Sequence, residues 1–128
     1  MTSNSSQPPV PLGSIVWQDL TVADASAVRD FYARVVGWLS TDHDMVGYSD
    51  FNMHDSEGKV VAGVCHARDT NANVPPQWLV YVKVDDADAA ADRAISAGGQ
   101  VVDGPRSMGT SRFVVVRDPA GAVIALIS

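Results

Sequence analysis

The stretch VWQDLTVAD at residues 16–24 has a counterpart in WLVYVKVDD at residues 78–86, which begins 62 positions later. Both stretches are rich in the β-branched, aromatic and aliphatic residues typical of strands, and both end in an aspartate. Self-similarity at a fixed period indicates that one structural unit occurs more than once in a chain. The pair therefore predicts two copies of one unit.

Two further pairs extend the repeat. Gly37 and Gly99 lie at the same offset of 62 residues, each after a helical pattern. The turn-like segment DSEG at residues 55–58 corresponds to DPAG at residues 118–121, at an offset of 63. Each half of the chain therefore reads as a strand, a helix and further strands, in the order β-α-β-β-β.

In the first unit we predict a strand at residues 14–22, two short strands within residues 38–54 and a strand at residues 59–66. A helix follows the first strand, because Asp24 is a good N-cap and Gly37 a good terminator. The second unit has these predicted elements: a strand at residues 77–84, a helix from Asp86 to the glycines at 98–99, a strand at 100–102, a loop at 103–111 and a hairpin at 112–127.

The organisation predicted from these elements is one α+β domain at residues 13–128, with two tandem β-α-β-β-β units forming a half-open barrel. Unit one spans residues 13–68 and unit two residues 77–128. The polar, proline-ended segment 69–76 is expected to be a linker. Residues 1–12, rich in Ser, Asn and Pro, are expected to form a flexible N-terminal arm.

The composition restricts the classes of partner. A net charge of −6 argues against binding to nucleic acid or an anionic membrane surface, and mildly favours a cationic ligand. Cys65 is the only cysteine, which fits a reducing compartment, and the sequence contains no apolar run of membrane-spanning length. We therefore expect a cytoplasmic protein that binds a small molecule.

The chain resembles the vicinal oxygen chelate superfamily, which includes glyoxalase I, extradiol dioxygenases, fosfomycin-resistance enzymes and bleomycin-resistance proteins. The resemblance rests on residues 24–38, with their Phe-Tyr and Gly-Trp dipeptides, and on the Asp-Pro-Ala-Gly turn at residues 118–121. It covers about residues 14–128. It implies the half-open barrel and, since small two-unit members commonly dimerise, a homodimer with ligand sites between facing units.

Enzymes of this superfamily hold a divalent metal with His, Gln or Glu from the first and last strands of each unit. Carried over to this sequence, the four positions are Trp17, Ala62, Leu79 and Ala125. None of these side chains can ligate a metal, so we expect neither a metal nor another cofactor. A shift of one residue would turn Gln18 inward instead, but it would also expose the apolar residues of that strand.

Strand alternation assigns side chains to the cavity. The predicted inward-facing residues are Trp17, Asp19 and Thr21 from the first strand, Leu79, Tyr81 and Lys83 from its repeat, and Val60, Ala62, Val64 and His66 from the strand that closes unit one. Cys65 should then point away from the cavity. A mostly apolar surface with a few polar groups is typical of a site for an organic ligand.

We predict twelve ligand-binding residues: Trp17, Asp19, Thr21, Trp38, Tyr48, His66, Trp78, Tyr81, Lys83, Arg106, Met108 and Phe113. Several have alternative roles. Trp17 stacks on a ligand or fills the core, and Asp19 pairs with Lys83 or with a cationic ligand. His66 is a general base or an ordinary surface residue.

The resulting hypothesis is a metal-free protein, closest in character to bleomycin-resistance proteins, that sequesters a bulky aromatic antibiotic or natural product. The alternative is a lyase or isomerase of secondary metabolism that uses Asp19, His66, Tyr81 or Lys83 for acid–base chemistry. A third possibility is an interaction module whose cavity is closed by its own side chains. No catalytic residue is assigned.

Overall fold

The computed structural model describes residues 9–128. Most of the predicted N-terminal arm, residues 1–8, lies outside the described residues. Within the described part, no helix is long and apolar enough to cross a membrane.

The elements follow the predicted β-α-β-β-β order twice. They are β1 (Ile15–Val22), α1 (Ala25–Val36), β2 (Leu39–Asp44), β3 (Ser49–His54), β4 (Val60–His66), β5 (Trp78–Lys83), α2 (Ala87–Ser96), β6 (Gln100–Met108), β7 (Ser111–Arg117) and β8 (Val123–Ile127). A single 3-10 turn at Asp69–Asn71 lies between the units. The predicted fold class, α+β with two tandem units, is confirmed.

The helix ends form as the sequence indicates. The Asp24 carboxylate accepts a hydrogen bond from the Ala27 N–H at 3.1 Å, and the Asp86 carboxylate accepts two from the first turn of α2. Gly37 ends α1 with φ +85°, a conformation that favours glycine. These local signals fix where each helix begins and where α1 stops.

All eight strands form one open sheet in the order β2-β3-β4-β1-β5-β8-β7-β6. The two units join where β1 pairs antiparallel with β5, while β1–β4 and β5–β8 are parallel pairs within the units. The predicted half-open barrel is therefore one curved sheet that contains strands of both units.

The two faces of this sheet are packed differently. On one face, α1 packs on β3 and β4 through Ala25, and α2 packs on β7 and β8 through Ala87 and Ala91. The other face carries no helix, and its buried cluster includes Leu79 and Phe113. We call these the helix face and the concave face.

A β-bulge in β4 contradicts the predicted alternation of that strand. His54 pairs with Val60 but its neighbour Met53 pairs with Ala62, so Val61 is an extra residue. The corresponding hairpin of unit two, β7 and β8, pairs without such a shift. Because side chains alternate along a strand, one extra residue exchanges the two faces beyond it.

The prediction that Ala62, Val64 and His66 point into the cavity is therefore wrong. Val60 precedes the bulge, and it does not line the cavity either. Ala62 and Val64 are buried on the helix face beneath α1. Gly63 pairs with Asp19, and the concave face of β4 carries Gly63 and Cys65 instead. The expectation that Cys65 points away from the cavity is wrong for the same reason.

The predicted loop at residues 103–111 is also wrong, because β6 continues to Met108. Gly104 and Pro105 in its middle are unusual for a strand, but β6 lies at the edge of the sheet and its pairing with β7 is interrupted by two irregularities. Proline is tolerated at sheet edges and bulges, since no neighbour needs its missing N–H.

Candidate ligand-binding site

The concave face encloses a cavity of about 270 Å³. Its walls come from both units of the one chain and from the segment between them. Six of the twelve predicted ligand-binding residues line it: Trp17, Asp19, Thr21, Tyr81, Met108 and Phe113. Their contact with a ligand stays a prediction.

Trp38 and Trp78 lie on the helix face. Their rings are 5.8 Å apart, and the Trp78 indole N–H donates a hydrogen bond to the Tyr32 hydroxyl at 2.9 Å. Together with Gln18 they border a second space of about 400 Å³ between the units. Gln18 also donates to the Val61 carbonyl, which explains an amide on an otherwise apolar face.

Tyr48 and His66 lie outside the cavity wall and support it. The Tyr48 ring stacks edge-on against His66 and lies under the Arg68 guanidinium at 4.0 Å. The backbone N–H of His66 donates a hydrogen bond to the Asp50 carboxylate at 2.8 Å, and this bond positions the carboxylate at the cavity. His66 therefore orients Asp50 in this arrangement and does not itself face the cavity.

Lys83 and Arg106 also lie outside the cavity. Lys83 is at the end of β5 beside Pro9 and Ile127, and it makes no ion pair with Asp19. The Arg106 guanidinium lies 4.3 Å from the centre of the Phe113 ring. It also pairs with Asp103 at 3.0 Å and donates a hydrogen bond to the side-chain oxygen of the cavity residue Asn71 at 2.8 Å.

The remaining cavity residues were not predicted from the sequence: His43, Met45, Asp50, Phe51, Asn52, Gly63, Cys65, Asn71 and Val74. The β4 bulge accounts for Gly63 and Cys65. The predicted linker accounts for Asn71 and Val74, because this segment folds over the concave face and buries Val74. An isolated valine within a polar segment was the signal that could have indicated this contact.

Asp19 is a partly buried carboxyl in the cavity wall, and its pKa is raised. Burial raises its pKa from 3.8 to about 6, although the Tyr81 hydroxyl donates a hydrogen bond to Oδ2 at 3.2 Å. Its Oδ1 is buried without a partner among the described residues. Burial, followed by the charge of Asp19, also raises the pKa of Cys65 and of Tyr81, so both stay neutral at physiological pH.

The superfamily's metal positions do not fit a metal in this chain. Trp17, Leu79 and Ala125 lie on the concave face as predicted, and Gly63 takes the place expected for Ala62. An indole, an isobutyl group, a methyl group and a hydrogen atom supply no donor. Elsewhere in residues 9–128, no three His, Cys, Asp or Glu side chains converge in a metal-binding arrangement.

Comparison with known proteins agrees with the fold. The glyoxalase-like domain family matches residues 15–127. The chain is 36% identical to the anthracycline biosynthesis protein DnrV of Streptomyces peucetius over 127 aligned residues, which cover 89% of this chain and 46% of that protein. The corresponding protein DauV of Streptomyces sp. (strain C5) is 35% identical, with 89% and 46% covered. The chain thus spans about half the length of these relatives.

A solved structure shows the same architecture. Methylmalonyl-CoA epimerase from Mycobacterium tuberculosis superposes with a TM-score of 0.55 at 19% identity, covering 94% of this chain and 91% of that one. At this identity the likeness concerns the fold alone. The repeat, the open eight-stranded sheet and the family match lead to one conclusion: the chain belongs to the glyoxalase-like domain family of the vicinal oxygen chelate superfamily.

Proposed function

We propose that the chain is a metal-free binding protein of secondary metabolism that sequesters a largely aromatic small molecule in the concave cavity. The single observation that carries this proposal is the replacement of all four metal-ligand positions by groups without a donor atom. Similarity to two anthracycline biosynthesis proteins supports a polycyclic aromatic compound as ligand. Because those proteins are about twice as long, the activity of a whole relative is not transferred to this chain.

The cavity wall suits such a ligand. Trp17 occupies a metal-ligand position, and the Tyr81 and Phe113 rings are nearly parallel with centroids 6.3 Å apart. Aromatic contacts add about 0.5–1.5 kcal/mol each beyond area burial. The volume of about 270 Å³ is at the lower end of ligand sites, which typically span about 300–1,000 Å³. A bulky ligand would therefore insert one ring system and extend through the open side.

Tryptophan fluorescence and calorimetry test this proposal. Of the three tryptophans only Trp17 lines the cavity, so an anthraquinone or enediyne-type compound should quench it and bind saturably. The variant Trp17→Phe should lose most of the quenching, whereas Trp38→Phe, altered on the helix face, should retain it. The proposal fails if no such compound gives saturable heat or quenching.

A homodimer is part of the proposal and rests on the family resemblance. The outer surface of α1 and the start of β2 support it, since Phe31, Val35 and Leu39 are 55%, 64% and 70% exposed. Sedimentation velocity should give twice the monomer mass, and Phe31→Asp should shift it toward the monomer. The predicted cytoplasmic location rests on the single cysteine and would be tested by localising the tagged protein in its host.

A second candidate function is proton transfer on a bound substrate, as in an isomerase. The observation that favours it is the Asp19 carboxyl with a pKa of about 6 in contact with the Tyr81 hydroxyl. His66 and Lys83 do not face the cavity, so this candidate is restricted to Asp19 and Tyr81. Product analysis with candidate substrates would reveal turnover, and Asp19→Asn should abolish it.

A further inference from the structure

We propose that the ligand is an aromatic compound that carries an aliphatic amino group, and that its protonated nitrogen is bound at the unit-one side of the cavity by the carboxylates of Asp19 and Asp50. The inference rests on the proposed binding function and names the chemical class of its ligand. It follows from the distribution of charge and space across the cavity.

The cavity is polar on one side and apolar on the other. Across the paired strands of unit one, Asn52 and Asp19 flank Gly63, and Asp50 and Cys65 lie one step further along the same strands. The unit-two side consists of apolar and aromatic groups around Phe113. A ligand that satisfies both sides carries a polar group at one end and an aromatic group at the other.

The polar side carries two carboxylates, Asp19 and Asp50, and neither pairs with a Lys or Arg side chain among the described residues. Asp50 is 5% exposed, and its Oδ1 accepts a hydrogen bond from the backbone N–H of His66. The His66 ring nitrogen Nδ1 lies 3.4 Å from the same oxygen. Asp19 accepts a hydrogen bond from the Tyr81 hydroxyl on Oδ2, and its Oδ1 is buried without a partner in the described part of the chain. Two partly buried carboxylates close together are costly without a counter-charge, and an ammonium group supplies it.

The groups facing Asp19 give no alternative counter-charge. Cys65 and Tyr81 are neutral, and Asp50 repels it. From β6, Arg106 is paired with Asp103. From β2, His43 also lines the cavity, and no Lys or Arg side chain of the described residues does. The Asp19 and Asp50 carboxylates therefore have no Lys or Arg counter-charge in the cavity wall.

Gly63 lets β4 approach Asp19 and Trp17 closely. A Cβ at this position would lie 3.3 Å from the Asp19 Cβ and 3.5 Å from the Trp17 Cζ2, and the first distance is shorter than an ordinary van der Waals contact. A side chain here would therefore press on two residues of the cavity wall. An ammonium group that reaches the Asp19 carboxylate in the cavity would also lie near the Trp17 indole, and both attract a cation.

Three probes of similar shape test the inference by calorimetry: 2-(1-naphthyl)ethylamine, 2-(1-naphthyl)ethanol and the carboxylate 1-naphthaleneacetate. At pH 7.5 we expect the amine to bind at least about tenfold more tightly than the alcohol, and the acetate to bind most weakly. Lowering the pH to 5 should weaken the amine about tenfold, because Asp19 becomes protonated, and should leave the alcohol unchanged.

Variants that remove one negative charge show which carboxylates favour the amine over the alcohol. Asp19→Asn and Asp50→Asn should each reduce the amine-to-alcohol ratio severalfold, whereas Asp92→Asn, the same charge change on an exposed position of α2, should not. An alcohol that binds as tightly as the amine, or an acetate that binds best, overturns the inference and leaves the binding function standing. Failure of all three probes to bind also overturns the inference, and the anthraquinone and enediyne titrations then decide the binding function separately. The affinities of the three probes for the wild-type protein test the inference even if a variant does not fold.

Discussion

Removing the charge of Asp19 should stabilise the protein above about pH 4, and most strongly at neutral or higher pH. A folded-state pKa of about 6 against an ordinary 3.8 corresponds to about 3 kcal/mol of destabilisation once the carboxyl is ionised. The side chain is partly accessible through the open cavity, so we expect about 1–3 kcal/mol. Below pH 3.8 both the folded and unfolded states are protonated, and the cost disappears.

The unfolding free energy should change with pH in one particular direction because of Asp19. Between pH 3.8 and 6 the folded state binds a proton that the unfolded state has lost, so the free energy of unfolding decreases as pH rises through this range. Asp19→Asn carries no titrating group at this position. The difference in unfolding free energy between variant and wild type should therefore be small at pH 4 and reach its maximum above pH 7.

Urea unfolding of both proteins at several pH values measures this difference directly, since all other titrating groups cancel. A gain of 1–3 kcal/mol should raise the melting temperature by roughly 3–10 °C for a chain of this size. Asp92→Asn serves as the control, because Asp92 is exposed and should give no pH-dependent difference. A variant that is less stable than wild type at pH 7.5, or a difference independent of pH, would refute the reasoning.

Three further predictions concern packing and caps. Phe113→Ala should cost about 3–5 kcal/mol because Phe113 is 2% exposed, whereas Phe31→Ala, at 55% exposure, should cost much less; chemical denaturation compares them. Gly63→Ala should weaken ligand binding with a stability loss of about 1–2 kcal/mol, because the new methyl group narrows the cavity floor; unchanged affinity contradicts the assigned cavity. Asp86→Ala should cost about 1 kcal/mol in thermal unfolding, since two N–H groups of α2 lose their acceptor; no loss would mean that the cap is dispensable.

The candidate site was only partly predictable. Residues of β1 and β5 were assigned to the correct face, because both strands alternate without interruption where they pair, from Trp17 to Leu20. Arg106 was expected at the cavity because its strand was predicted as a loop. It instead binds Asp103 and covers Phe113. The sequence does not indicate which residues a long charged side chain near a site will contact.

The sequence alone determined the two-unit fold, the helix caps and the lack of a donor at three of the four metal positions, Trp17, Leu79 and Ala125, since these depend on residue identity and spacing within short segments. Only the tertiary structure decided which face of β4 forms the cavity wall and where the segment at residues 69–76 packs. The bulge at Val61 exists because β3 pairs with β4. Val74 is buried because it packs against residues that are distant in the chain, mainly in strands of unit two. Such contacts join residues distant in the chain, so no local pattern specifies them.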